Sequence, residues 1–499
     1  MTYRVRSFKL VFKDGTDKIS DRAVMKGIQH EEERPARKNP VHTMVARVKR
    51  VIKRFVKPPR KALRNPSEQS EPSPSLAQLT GFTESLARVD DFVIAMDGLQ
   101  SMSPSAMYAR LVPPFAQLNP ILRPFLSSIW SNGFGANLRR LTISIPMDSW
   151  QLVFSPSFQI DHLEALGVLF SKPRNRNLFL LTQFEECIAT YLIPFIQRHV
   201  NTLRALDIIS PSFDCAPFFQ RIGHILSLHT IKLEECGGLV ATRNENNFYH
   251  FLQQHHETIT HITWKFSNSD HLDYDVLGRD IWFDLRYHEL IPLPHLKVLE
   301  LKNLAGFSDL PTPFLSNMER LLRSHNSTLT KLCLEGYNPY LDTFYDLLNT
   351  ISSSVLEHFE IGTRALTRNL LSTMATKLPS LCFLRLSYND VGRQTVVRVI
   401  QLASASIISY PILDFLMSTE DRRELGPECP LHKLYKYHFL QDMESFRLPS
   451  WSLEELHLET VNKSRLDWEA DASEINKAIL RSLPNVMAFN GKHRDRALS

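Results

Sequence analysis

The stretch Leu381–Val391 reads LCFLRLSYNDV, with Leu381, Leu384, Leu386, Asn389 and Val391 on the spacing LxxLxLxxNxL. That spacing predicts one short strand followed by a turn. By the period-2 rule Leu384 and Leu386 face a core, while Phe383, Arg385 and Ser387 face the other way. Asn389 is expected to hold the turn through side-chain hydrogen bonds to backbone groups that have left the ladder. A strand this short cannot bury its own apolar face, so the pattern requires copies stacked beside it.

The copies are present. The apolar triplet LxxLxL recurs at Val89/Phe92/Ile94, Leu138/Leu141/Ile143, Leu163/Leu166/Val168, Leu203/Leu206/Ile208, Leu228/Ile231/Leu233 and Ile259/Ile262/Trp264. It continues at Leu296/Leu299/Leu301, Leu329/Leu332/Leu334, Leu356/Phe359/Ile361 and Leu453/Leu456/Leu458. One match means little, since in a chain that is 43% hydrophobic roughly one start in a dozen satisfies three apolar positions by chance. Phase carries the argument: from Leu203 to Leu381 successive starts lie 25, 31, 37, 33, 27 and 25 residues apart, and helical stripes fall between them.

In Thr312–His325, Phe314, Leu315, Met318, Leu321 and Leu322 form such a stripe, with Thr312 as cap, Pro313 in the first turn and Arg323 and His325 at the end. Thr367–Leu378 and Asp471–Leu483 repeat the design. The predicted unit is strand, turn, helix, and the predicted fold is α/β: a solenoid with a parallel sheet on its concave face and helices on its convex face. Residues 76–495 form this array, with insertions near 267–292 and 405–430 that are candidate binding loops.

Residues 1–75 read differently. Residues 1–65 hold 19 Lys+Arg and 6 Asp+Glu, a net +13, which leaves 58 − 19 = 39 against 53 − 6 = 47, or −8, for the remainder. The segment is a basic, partly disordered N-terminal arm and linker. RSFKLVF (Arg6–Phe12), then Lys13-Asp14-Gly15 and the TDKIS that follows, suggests a hairpin. In 43–57, Met44, Val45, Val48, Val51, Ile52, Phe55 and Val56 form a helical stripe, and Arg47, Lys49, Arg50, Lys53, Arg54 and Lys57 occupy most other positions, until Pro58-Pro59 ends the helix. Docking on the repeat body, an anionic membrane surface, calmodulin and an import receptor all suit such a helix. No specific nucleic-acid partner is indicated.

Other classes are disfavoured. No apolar run reaches the 18 or more residues of a membrane helix, and the N-terminus has no apolar h-region, so residence is expected to be cytoplasmic or nuclear. The six cysteines lie far apart with no CxxC pair, as small core residues of a reducing compartment do. His256-Glu257 and His261 are spaced HExxxH, and the extra residue turns the second histidine roughly 140° from the first on a helix, off a zinc-binding face. Asp273 and Asp275 form a DxD triplet without a glycine-rich partner strand. Phosphate loops, nucleophile elbows and dinucleotide fingerprints are missing, so no catalytic residue, metal or cofactor is assigned.

Phrases such as NLRRLTI, LPHLKVLEL, LPSLCFLRLS and SLEELHLE resemble the cytosolic leucine-rich-repeat proteins, and most of all the fungal F-box-like proteins with divergent repeats. The resemblance covers roughly residues 80–490. It implies a non-enzymatic scaffold or adaptor that binds a protein on its concave face. A family F-box would recruit a cullin ligase through an adaptor; residues 1–80 carry no LPxE-type opening, so an F-box here is degenerate or missing. The binding face is expected at outward strand positions: Arg139 and Arg140 early, Lys297 and Glu300 in the middle, then Glu357, Glu360, Arg385, Glu454, Glu455 and Glu459 late. Read in order, these run from basic to acidic, and a basic segment is the expected guest of the late end.

Overall fold

The computed structural model describes residues 7–12, 90–96, 134–145, 147–154, 159–170, 185–210, 215–235, 245–266, 293–304, 312–352, 355–392, 431–461 and 468–494. The basic segment 43–57 and both insertions lie outside these residues. The chain divides into two compact units, Met1–Thr258 with Ser267–Asp275, and Ile259–Phe266 with Val276–Ser499.

Unit 1 holds β1 (Ser7–Phe12), β2 (Asp91–Met96), β3 (Arg140–Ser144), β4 (Ala165–Leu169), β5 (Ala205–Ser210) and β6 (Thr230–Glu235). Each pairs in parallel with the next in chain order. Its helices are α1 (Ile193–Arg198), which continues a π-helical turn, α2 (Ala216–Arg221) and α3 (Glu245–Gln254). Aromatic rings fill the layer beneath: Trp150 meets Phe154 and Phe170 at 5.5 Å, Phe170 meets Phe218 at 5.8 Å, and Phe219 meets Phe251 at 5.1 Å.

Unit 2 holds β7 (His261–Phe266), β8 (Val298–Lys302), β9 (Lys331–Leu334), β10 (His358–Leu366), β11 (Phe383–Val391), β12 (Glu455–Thr460), β13 (Ala488–Phe489) and β14 (Lys492–His493). β7 to β13 are parallel in chain order, and β14 turns back antiparallel on β13. Its helices are α4 (Thr312–His325), α5 (Leu341–Thr350), α6 (Arg368–Lys377), α7 (Leu431–Glu444) and α8 (Trp468–Ser482). None of the described helices is long and apolar enough to cross a membrane.

The repeat phase accounts for the core. Every described position of the LxxLxL triplets is buried except Trp264, which is half-buried. The first leucine of each triplet precedes its strand, and the next two lie inside it. Strand starts share a further device. The carbonyls of Arg139, Lys297, Glu357 and Glu454 each accept two successive N–H groups from the following repeat, as Lys297 O does from Thr330 and Lys331 at 2.9 and 3.0 Å. This repeated two-to-one pairing sets the pitch from one strand to the next.

Where helices hand over to strands, HVNTL, HHETI and HNSTL place a buried histidine before a threonine. The carbonyls of His199, His255 and His325 accept the N–H of Thr202, Thr258 and Thr328 at 3.0, 3.0 and 3.1 Å, closing the helix ends. The rings of His255 and His325 reach into the preceding repeat. His255 Nδ1 donates to Phe251 O at 2.6 Å while its Nε2 accepts the N–H of Ile225 at 2.8 Å, a pair of bonds only the neutral ring makes. His325 likewise bonds the backbone of Leu293, and the Trp451 indole donates to Leu378 O at 3.0 Å. Ile225, Leu293 and Leu378 each stand three residues before the first leucine of their repeat, so one kind of clip recurs with different side chains. Burial holds all three histidines down to about 4, with Arg198 adding to the effect at His199.

Two expectations change, and a third lies partly outside the described residues. Asn389 does not hold a turn: β11 continues through it to Val391, paired with Leu366, and its buried Oδ1 accepts no hydrogen bond among the described residues. Ser7–Phe12 is a strand, but it pairs in parallel with β2; the proposed second arm of its hairpin lies outside the described residues. Among the described residues a hairpin joins β13 and β14, where Asn490 and Gly491 adopt φ of 47° and 74°. There the Asn490 side chain accepts the Leu458 N–H at 2.8 Å, continuing the ladder past β13. Helix α6 has the expected cap, Thr367 Oγ1 accepting from Leu370 N at 3.1 Å, whereas α8 begins at Trp468, earlier than Asp471. Arg494 caps α8, its guanidinium donating to Leu480 O and Leu483 O at 2.7 and 2.6 Å.

Candidate protein-binding face

The strand register brings outward side chains of unit 2 into rows. One row reads His261, Val298, Lys331, His358, Phe383 and Glu455 across β7 to β12; the next reads Thr263, Glu300, Cys333, Glu360, Arg385 and His457. In a sheet these neighbours stand about 5 Å apart, close enough to pair.

Two carboxylates organise the face. Glu300 is buried between Lys302 Nζ at 2.9 Å and Lys331 Nζ at 2.7 Å, and it accepts from Thr263 Oγ1 at 3.2 Å. Burial alone would raise its pKa, but the two ammonium groups outweigh burial and bring it down to about 2. Glu360 faces His358 Nε2 at 2.7 Å and Arg385 at 3.6 Å, and the hydrogen bond with His358 leads the effects that keep its carboxyl low. On β12, His457 Nε2 lies 2.7 Å from Glu455.

Between these pairs the rings stack. His358 and Phe383 lie 3.9 Å apart and within 4° of parallel, and His457 follows at 5.2 Å and 33°. The result is a half-exposed ridge of three rings on three adjacent strands, each histidine held upright by a glutamate on its own strand. Cys333 sits beside it with its thiol pushed up to about 12, first by burial and then by Glu360 and Glu300, so it is inert as a nucleophile.

The anticipated residues divide between the units. Arg139 and Arg140 are exposed in unit 1, where Arg139 meets Glu164 at 3.4 Å. Lys297, Glu357 and Glu454 are exposed in unit 2 at the start of their strands; Glu300, Glu360, Arg385 and Glu455 join the rows just described, and Glu459 is exposed farther along β12. The late end is less uniformly acidic than the selected positions suggest, because Lys331 and Arg385 stand among its carboxylates. Lys331 and Thr263 were not among the expected residues. The outward rule, applied to the strands after Ile259 and Leu329 as it was to the others, finds both.

The HExxxH histidines take ordinary structural places. His256 lies in the turn after α3 with Nδ1 2.8 Å from Gln253 O, and His261 opens β7 with Nε2 3.0 Å from Thr263 Oγ1. Asp273 and Asp275 lie outside the described residues.

No protein-family model matches the chain, and no curated protein does. Among the solved structures that match is the crystal structure of the Rad7 and Elc1 complex in yeast. It is 11% identical, covers 64% of this chain and 68% of that one, and has a TM-score of 0.37.

Proposed function

We propose that the protein is a non-enzymatic binding module of the leucine-rich-repeat kind that holds a protein partner on the outward face of unit 2. The observation that carries this reading is the three-ring ridge braced by histidine–glutamate hydrogen bonds. Long side chains that would be mobile on an ordinary surface are already fixed by stacking and by hydrogen bonds of 2.7 Å, so little of their freedom remains to be lost when a partner docks. Aromatic groups ringed by charge are also the composition of interface centres. In its more specific form the module is an F-box-like substrate receptor, supported by the repeat phrases of the sequence alone.

The test is affinity purification of the full chain from its native cell, beside a chain carrying Phe383→Ser and Arg385→Glu. A partner retained by the first and lost from the second, with both proteins melting alike, supports the reading. Equal recovery from both would refute it. A cullin adaptor among the recovered proteins would favour the receptor form, and its absence the free-standing scaffold.

A further inference from the structure

Resting on that reading, we infer that the β10–β12 end of the face takes a lysine- and arginine-rich segment of the partner, with aliphatic stems along the ring ridge and charged heads at the carboxylates around it. Two independent features point there. The first is charge: the outward positions of these three strands and their leading residues carry Glu357, Glu360, Glu454, Glu455 and Glu459 against Arg364 and Arg385, so 2 − 5 = −3 with the histidines neutral. A field of that sign attracts a cationic segment and repels an acidic one.

The second is the shape of the ridge. Because His358 and Phe383 stack within 4° of parallel, the ring faces are turned toward one another and the ring edges are what a partner meets. A row of edges offers a half-exposed aromatic track, with Glu360 on one strand and Glu455 on another beside it. Lysine and arginine match this track, since their stems pack on apolar surface while their heads remain polar. A purely apolar guest would strand the carboxylates, and an acidic guest would meet like charge.

The experiment uses the full chain and a fluorescent peptide identical to residues 41–60, which carries seven Lys or Arg and no Asp or Glu. Its control is the same peptide with those seven residues replaced by glutamine. Anisotropy titrations are run at low and physiological salt, on the unaltered chain, on the triple variant Glu454→Gln, Glu455→Gln, Glu459→Gln, and on Phe383→Ser and Phe383→Tyr.

Saturable binding of the basic peptide, weakened about tenfold by the triple substitution and by added salt, is expected for three exposed charge contacts. Phe383→Ser is expected to weaken it further and Phe383→Tyr to leave it intact, which separates the ridge from bulk charge attraction. Binding untouched by the triple substitution, or equal for the glutamine peptide, overturns the inference. A native partner that survives the triple substitution but is lost with Phe383→Ser and Arg385→Glu also overturns it, while leaving the proposed function standing; a partner kept by every variant removes both.

Discussion

The two units build differently composed outward faces on one plan. In unit 1 the outward rows read Arg140, Ala165, Ala205 and Thr230, then Thr142, Gly167, Asp207 and Lys232. In unit 2 the same positions hold Lys331, His358, Phe383 and Glu455, then Glu300, Cys333, Glu360, Arg385 and His457. Gly167 is buried with Thr142 beside it, and burial raises the carboxyl of Asp207 against the pull of Lys232. Arg385, at the corresponding position, keeps 55% of its side chain exposed. The repeat template therefore prescribes the inward leucines in both units and leaves the outward positions to be small and covered, or long and open.

The largest effect is expected at the inward positions, where the units agree. Leu384 is fully buried, so Leu384→Asp forfeits about 1.5–3 kcal/mol of burial and adds an unpaired buried charge, and the thermal transition of unit 2 should be lost. Arg385→Asp, one residue along, should shift the melting temperature only slightly. Equal melts for these two variants would show the strand phase to be misassigned.

Next comes the matched outward pair. Gly167→Glu forces a carboxylate into a covered position and should cost about 3 kcal/mol or more, whereas Arg385→Glu should cost less than about 1 kcal/mol. If denaturant midpoints moved alike for both, the contrast between the faces would be an illusion of composition.

The histidine clips give a pH signature in each unit. His199 and His255 in unit 1 and His325 in unit 2 stay neutral down to about 4, while an unfolded histidine takes up its proton near 6.5. Between those values the unfolded chain binds more protons, so stability is fully present above about 6.5 and falls as pH drops toward about 4, by up to about 3 kcal/mol per histidine. His255→Phe should flatten part of that slope and cost about 1–2 kcal/mol at neutral pH by leaving the Ile225 N–H unpaired. Denaturant titrations from pH 7 to 4.5 would read both, and a slope identical in the variant would contradict the clip.

How far the sequence reveals this depends on which contacts are local. Leucine phase is written in short spacings, so the strand starts and the exposed or inward sense of Phe383 and Arg385 are legible before any coordinates. The ridge is legible only once β10, β11 and β12 are known to lie side by side in register, because its three rings come from residues 358, 383 and 457. Lys331 hides in KLCL, a strand whose leucines draw the eye. The histidine clips read as polar interruptions of a hydrophobic pattern, although HVNTL, HHETI and HNSTL do share their spacing. Asn389 misleads for the opposite reason: the motif position is present, but β11 runs on beneath it.

The most direct measurement is hydroxyl-radical footprinting of the full chain, alone and bound to the protein it captures. In the free chain His358, Phe383, Arg385 and His457 should oxidise readily and Gly167 with its neighbours Leu166 and Val168 should not. Binding should protect the four unit 2 residues together. Protection confined to unit 1, or a bound chain in which the ridge oxidises as fast as in the free one, would contradict a partner-binding role for this face.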